Sequence, residues 1–312
     1  MEKILYVVPH LSTGGMPQYL LELIRTFKNQ FDISVLEYNL LSSTYVVQRN
    51  KIKNECKLLT LGKDKEVFLK VIEREKPNII HFQEIPETFI QKDYLKKIFN
   101  KDRKYKIITT THSSFTEPSK LLYTADKFVL VSEWSQKKFK NYFGEIDCDI
   151  WEYPIKQNKY EKKPYKDKLY FDDGHKHVLH VGLFTEGKNQ SSIFELAKLC
   201  EDNDVRIKFH FVGNLANNFK DYWEPLLENK PHNCILYGEK DNVDDFYMAA
   251  DLFYFPSKWE LNPISIKEAL SFGLPVFTKK LDTYENKYDD VVTYIGDDIK
   301  INYENLLKTL NL

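Results

Sequence analysis

Residues 251 to 278, DLFYFPSKWELNPISIKEALSFGLPVFT, decide the reading of this chain, because an apolar run, a turn, a short helix and a second apolar run follow in close order. Asp251 to Phe255 is short, apolar and aromatic, as a parallel strand covered on both faces must be, and Pro256 and Ser257 stop it. Asn262 and Pro263 read as the N-cap and first position of a helix: Asn accepts a free backbone N–H, and Pro has none to leave unpaired. The helix is expected to end at Gly273. The N–H groups of Ile264, Ser265 and Ile266 then point off its N-terminus, where the helix dipole favours an anion such as phosphate. Glu260 stands just before this end and Glu268 one to two turns inside it. An ionised carboxylate only accepts hydrogen bonds, so each suits a neutral hydroxyl beside a bound phosphate.

Working outward, the same strand and helix alternation fills the chain. KILYVV at residues 3 to 8 is a buried strand, and the turn after it carries Gly14 and Gly15 before a helical pattern begins. Two glycines there let backbone approach a ligand closely, although a tight turn needs them equally. FDISVLEY, CKLLTL, NIIHFQ, KIITTTH and KFVLVS follow as strands, with helices near residues 65 to 75, 88 to 100 and 133 to 143. Such alternation implies a doubly wound parallel sheet, which places His112 and Ser132 at the carboxyl ends of strands, where ligands sit. His112 is read either as a hydrogen-bonding imidazole or as a loop histidine without a role. Residues 156 to 176 break the pattern with charges and read as a linker. HVLHVGLF, RIKFHFVG and NCILYG then restart it, with helices between them, and residues 300 to 312 read as a closing helix.

At 312 residues, 42% hydrophobic and 29% charged, the chain has the length and balance of two globular domains. The expected division is a first domain at 1–155, a second at 156–299 and the closing helix, with a cleft between two lobes of one architecture. The start MEKILYVV is too short and too acidic for a signal peptide, and no apolar run spans a membrane, so the expectation is a cytoplasmic protein. The four cysteines lack metal spacing and read as reduced thiols. Net charge is −1, with +4 on residues 1 to 155 and −5 on the rest. Seven cationic residues gather in 91–106. A solvated helix face accounts for them, with weak peripheral contact to an anionic membrane as the second reading. Nucleic-acid binding has neither an overall basic charge nor a reading motif behind it.

The run AADLFYFPSKWELNPISIKEALSFGLPVF resembles the ADxxxxPS, E-x7-E-A and G-x-PV sequence of the retaining glycosyltransferases of family 4, in order and spacing. That resemblance implies the GT-B fold, an α/β architecture of two Rossmann-like domains facing each other across a cleft. It also implies transfer of a sugar from a nucleotide-sugar donor to a hydroxyl acceptor, a glycan, lipid or small molecule, with no metal and no cofactor besides the donor itself. On this likeness Glu268 binds ribose hydroxyls, Glu260 faces the sugar, and His112 matches the histidine beside the donor sugar. Lys188 in VGLFTEGKNQ matches the diphosphate lysine, supported by Asn262, Ile264 and Ser265 at the helix N-terminus. Gly14 and Gly15 resemble the family's glycine-rich loop, and Gly213 and Tyr237 fall in segments that line base and ribose.

Three departures stand out. Leu183 occupies the position of a phosphate-binding Arg, Asn262-Pro263 replaces the frequent Phe-Gly pair, and YPIK at 153 to 156 replaces the usual Asn-Gly-x-Asp. Two other functions stay open: a nucleotide-sugar epimerase or hydrolase on the same fold, which needs its own acid/base set, and a non-catalytic sugar-nucleotide-binding subunit, which the lost cation would suit.

Overall fold

The structure is a computed structural model and describes residues 1–40, 46–62, 65–112, 123–155 and 161–312. The chain divides into two compact units, Met1–Tyr153 and Pro154–Leu312, two residues before the division expected from sequence.

The first unit runs β1 (Lys3–Val8), α1 (Gly15–Phe27), β2 (Asp32–Glu37), α2 (Val47–Glu55), β3 (Lys57–Thr60), α3 (Val67–Glu75), β4 (Ile79–Gln83), α4 (Lys92–Ile98), β5 (Lys106–Thr111), β6 (Lys127–Leu130), α5 (Glu133–Phe143) and β7 (Cys148–Ile150). The strands form a parallel sheet in the order β3-β2-β1-β4-β5-β6-β7. Order therefore reverses between β1 and β4, the switch point at which open α/β sheets bind ligands. The helix expected over 88 to 100 is a 3₁₀ turn at Pro86–Thr88 followed by the shorter α4. Ser132 caps α5, its Oγ accepting from Ser135 N at 3.2 Å.

The second unit runs α6 (Lys163–Leu169), β8 (Lys176–Val181), α7 (Gln190–Asp202), β9 (Ile207–Val212), α8 (Lys220–Glu228), β10 (Cys234–Gly238), α9 (Val243–Ala249), β11 (Leu252–Phe255), α10 (Ile264–Ser271), β12 (Val276–Lys279), β13 (Thr293–Ile295) and α11 (Ile299–Leu310). Its parallel sheet has the order β10-β9-β8-β11-β12-β13, with the reversal between β8 and β11. Leu252 and Tyr254 pack into the core on one face of this sheet, Phe253 and Phe255 into the core on the other. Burial on both faces explains the unbroken apolar run of β11.

Two expectations change here. The charged segment after residue 160 is no linker: α6 packs on α9, and its lysines answer carboxylates and a carbonyl of the second unit. Lys162 Nζ donates to Ala250 O at 3.0 Å, Lys166 pairs with Asp251 at 2.8 Å and Lys168 with Asp245 at 2.7 Å. Charges that read as a linker are thus counter-charges; residues 156–160 of the expected linker lie outside the described residues. The closing helix α11 belongs to the second unit, since it packs on α7 and buries Leu306 and Leu310 in that core.

Candidate functional site

The switch point of the second sheet is built from two loops, one after β8 and one after β11. Both are held to each other by polar contacts. Lys258 N donates to Gly187 O at 2.8 Å, Asn189 Nδ2 lies 3.4 Å from Pro256 O, and the fully buried Ser257 Oγ lies 3.0 Å from Gly187 O. A 3₁₀ turn at Glu186–Lys188, capped by Thr185, brings the Lys188 side chain back over β11. Its ammonium stands 5.0 Å from the Phe255 ring centre and forms an ion pair with Glu260 Oε1. The same carboxylate oxygen takes Ser257 Oγ at 2.7 Å. Sequence reading gave Ser257 no role beyond stopping the strand and completing the ADxxxxPS run; the signal it carried was its place in the Pro-Ser pair immediately after an apolar strand.

The helix α10 leads away from this cluster. Its first backbone bond runs from Lys267 N to Pro263 O at 3.2 Å, so the N–H groups of Ile264, Ser265 and Ile266 precede the hydrogen-bonded ladder. The expected cap is corrected: Pro263 holds the N-cap position, and no side chain caps the helix. Asn262 Oδ1 instead accepts from Lys267 Nζ at 2.7 Å. Lys267 is 2% exposed, and burial pushes its ammonium down to about 8. A buried cation needs an oxygen more than an N-terminal N–H does, which decides where Asn262 turns. Gly273 ends the helix as expected, at φ +66, with Leu274 N donating to Ala269 O at 3.1 Å. One turn inside α10, Glu268 Oε2 accepts from Tyr247 OH at 3.1 Å, which fixes that carboxylate's direction.

Glycines shape the neighbouring strand ends. Gly213 has φ +156, and a Cβ there would stand 1.9 Å from Gly182 O. Only glycine permits the ends of β8 and β9 to approach so closely. Tyr237 does not present its hydroxyl at this rim. Its OH lies 2.9 Å from His210 Nδ1, His210 Nε2 lies 2.9 Å from His177 Nδ1, and His177 Nε2 lies 3.3 Å from Asp173. Leu183, at the expected Arg position, is half-buried, and its carbonyl accepts from Gln190 Nε2 at 2.9 Å.

In the first unit, Gly14 is the N-cap residue of α1 at φ +151, and Gly15 opens the helix. The loop before them is held from below: the fully buried Glu37 accepts from Leu11 N at 2.8 Å and from both Arg49 Nη2 at 2.6 Å and Nε at 2.9 Å. Sequence reading missed this pair because α2, which carries Arg49, buries only Ile52 and shows little apolar period. His112 follows β5, as expected. Its N–H points at Glu84 Oε2 across 3.4 Å, its Nε2 lies 3.2 Å from Gln83 Oε1, and its ring packs edge-on with Tyr19 at 4.7 Å. Burial pushes His112 down to about 3, so the imidazole is neutral. Among the described residues, no group of three or more His, Cys, Asp or Glu is placed to hold a metal ion. No helix among them is long and apolar enough to cross a membrane.

Two doubly wound parallel sheets, each with an anion-suited loop cluster or a glycine loop at its switch point, define an α/β protein of the GT-B class. The likeness to solved structures bears this out. HepE from Anabaena, in complex with UDP-glucose, superposes with a TM-score of 0.77 at 15% identity, covering 99% of this chain and 90% of that one. A sucrose-phosphate synthase from Thermosynechococcus elongatus gives 0.76 at 12% identity with the same coverage. The family model for glycosyl transferases group 1 matches residues 161–287, the stretch that carries Lys188, Glu260 and Glu268.

Three curated relatives match over parts of the chain. The Escherichia coli UDP-Gal:alpha-D-GlcNAc-diphosphoundecaprenol alpha-1,3-galactosyltransferase is 28% identical over 125 residues, 38% of this chain and 32% of that protein. The alpha-galactosylglucosyldiacylglycerol synthase of Streptococcus pneumoniae is 35% identical over 75 residues, 23% of this chain and 20% of that one. The processive diacylglycerol alpha-glucosyltransferase of Acholeplasma laidlawii is 28% identical over 142 residues, 45% of this chain and 40% of that one. The chain thus matches between a fifth and two fifths of the lengths of these three relatives.

Proposed function

We propose that this chain is a retaining glycosyltransferase of family 4 that moves a sugar from a nucleotide-sugar donor to a hydroxyl acceptor, without a metal ion or further cofactor. The Lys188–Glu260 pair beside the N-terminus of α10 carries the reading. A cation and a carboxylate, side by side at a sheet switch point, match the two ends of a sugar diphosphate. Lys188 and the first N–H groups of α10 take the diphosphate, where negative charge grows as the leaving group departs. Glu260 accepts hydroxyls of the sugar, and Glu268, directed by Tyr247, accepts those of the ribose. His112 carries over from the family resemblance as a neutral hydrogen-bonding group for the donor sugar.

UDP-hexoses are the first donors to try, because the Anabaena neighbour was solved with UDP-glucose and the E. coli relative is named for UDP-Gal. The alpha linkages in the relatives' names support retention, since the common UDP-hexoses are themselves alpha anomers. Lipid acceptors are favoured by the same names. A row of exposed lysines, Lys92, Lys96, Lys97, Lys101 and Lys104, favours peripheral contact with the anionic surface that presents such lipids. Four free cysteines fit the reducing cytoplasm.

The test is nucleotide release from UDP-, GDP- and ADP-sugars, with and without diacylglycerol and polyprenyl-diphosphate-sugar acceptors, in buffer containing EDTA. Release that depends on acceptor and gives an alpha-linked product supports the reading. Acceptor-independent release points to a hydrolase, nucleotide binding without turnover to a binding subunit, and absence of all nucleotide binding sinks the proposal.

A further inference from the structure

We propose that Glu260 discriminates against the spent nucleoside diphosphate, so that the site prefers the sugar nucleotide over the product it leaves behind. This rests on the donor-binding reading above. The observation behind it is that the cation offered to the diphosphate is already neutralised. Lys188 shares Glu260 Oε1 with the buried Ser257 hydroxyl, and the two charged side chains are 27% and 11% exposed. Any phosphate that reaches Lys188 therefore also comes within a few ångströms of a carboxylate that Ser257 holds in place.

The two nucleotides meet this arrangement differently. In a sugar nucleotide the terminal phosphate is esterified, bears one negative charge, and brings sugar hydroxyls that donate to the Glu260 carboxylate. After transfer, the terminal phosphate is free and takes a second negative charge, because its second pKa lies near about 6. It also has no hydroxyl hydrogen to offer. The donor satisfies Lys188 and Glu260 at once; the product is attracted by one and repelled by the other. Two like charges a few ångströms apart in a partly solvated site change affinity by roughly tenfold. Glu260 then has two roles, acceptor of the sugar hydroxyls before transfer and a repulsive element that hastens product release after it.

Glu260→Gln keeps the side chain's size and an acceptor oxygen while removing the charge. Titration calorimetry in magnesium-free, EDTA-containing buffer at pH 7.5 compares UDP, UMP and UDP-glucose on the wild type and this variant. The expected result is UDP bound about tenfold more tightly by the variant, UMP changed by less than about twofold because it lacks the second phosphate, and UDP-glucose not tightened. Adding Lys188→Met to Glu260→Gln is expected to erase the gain. Unchanged or weaker UDP binding by a folded Glu260→Gln, with the wild type binding UDP, overturns the proposal and leaves the donor reading standing. A wild type that binds none of these nucleotides, nor their GDP and ADP counterparts, overturns the donor reading itself. The wild type supplies an arm that needs no variant. From pH 5.5 to 7.5 the terminal phosphate of UDP gains its second charge, and against a neutralised Lys188 the affinity for UDP relative to UDP-glucose stays level or falls. A tenfold rise in that ratio would show Lys188 acting as a free cation and would overturn the proposal.

Discussion

Ser257 Oγ lies 2.7 Å from Glu260 Oε1 while also lying 3.0 Å from Gly187 O and 3.2 Å from Trp259 O. One hydroxyl has one proton, and all three neighbours are acceptors, so the charged carboxylate takes it. Ser257 thereby fixes the carboxylate that pairs with Lys188. Removing the hydroxyl leaves Glu260 held, among the described residues, by the Lys188 ion pair. Ser257→Ala should raise the donor KM by about tenfold, within the roughly 1–3 kcal/mol expected for a lost bond to a charged group, with kcat much less affected. Steady-state kinetics with a UDP-hexose check this. A loss confined to thermal stability, with KM unmoved, would make Ser257 a packing residue only.

Gly213 and Gly182 give a sharper contrast. A Cβ on Gly213 meets backbone, Gly182 O at 1.9 Å, at a φ of +156, and backbone cannot swing aside as a side-chain end can. A Cβ on Gly182 has His180 Nε2 as its nearest neighbour, at 3.4 Å, which is ordinary contact. Gly213→Ala should therefore cost more than about 4 kcal/mol or prevent the second unit from folding, whereas Gly182→Ala should stay within about 1 kcal/mol. Urea denaturation of the two purified variants tests the difference. Equal midpoints would remove the close approach of β8 and β9 as the reason for glycine.

The fold was legible because its strands are buried on both faces. Runs such as LFYF and KIITTT carry that burial in their own composition, and their spacing by helical patterns gives the doubly wound order. What escaped was short or polar. β7 and β13 are three residues each, below the length at which a pattern forms, and α2 is polar on nearly every position. Within the site, Lys188, Glu260 and the start of α10 stood at positions that local spacing and family likeness marked. Asn262 and Tyr237 could not be read that way, because what turns each side chain is a distant partner. Lys267, buried by the packing of α10, claims Asn262, and His210 on another strand claims Tyr237.

Buried histidines set the acid limb of stability. His180 Nδ1 lies 3.0 Å from Tyr254 O, so that nitrogen carries the proton, and Nε2 then accepts from Gln190 Nε2 at 3.1 Å. A second proton on Nε2 would face an N–H donor in a buried site, and His180 is pushed down to about 4 chiefly by that burial. His81, His112 and His210 are pushed down to about 3 for the same first reason. The unfolded chain takes up these protons near pH 6.5, the folded chain only near pH 3 to 4. Between those values the unfolded state holds more protons, so stability is fully present above pH 6.5 and falls as pH drops. Each such histidine contributes up to about 1.4 kcal/mol per pH unit. The urea midpoint should rise from pH 5 to pH 7, a window in which most carboxylates are already ionised. A flat or falling midpoint there would contradict neutral burial.

Tyr237 is the residue on which the family likeness and the structure lead to different variants. The likeness puts its segment beside the nucleotide. In the structure its ring packs edge-on to Phe246 at 4.8 Å, and its hydroxyl lies against His210. Asp173, held well below the usual carboxylate range by Lys208 and His175 despite some desolvation, can only accept. The Tyr237 hydroxyl and His210 Nδ1 share one proton across 2.9 Å, and His210 Nε2 and His177 Nδ1 share another across 2.9 Å, while His177 Nε2 stands 3.3 Å from Asp173 outside hydrogen-bonding geometry. The Tyr237 hydroxyl is thus engaged by the interior. Tyr237→Phe should cost about 1–2 kcal/mol of stability by leaving His210 Nδ1 unpaired in a buried site, while changing UDP affinity by less than twofold. Urea denaturation and calorimetry on the same protein read both numbers. A tenfold loss of UDP affinity at unchanged stability would return Tyr237 to the nucleotide site and show that its hydroxyl turns outward in solution.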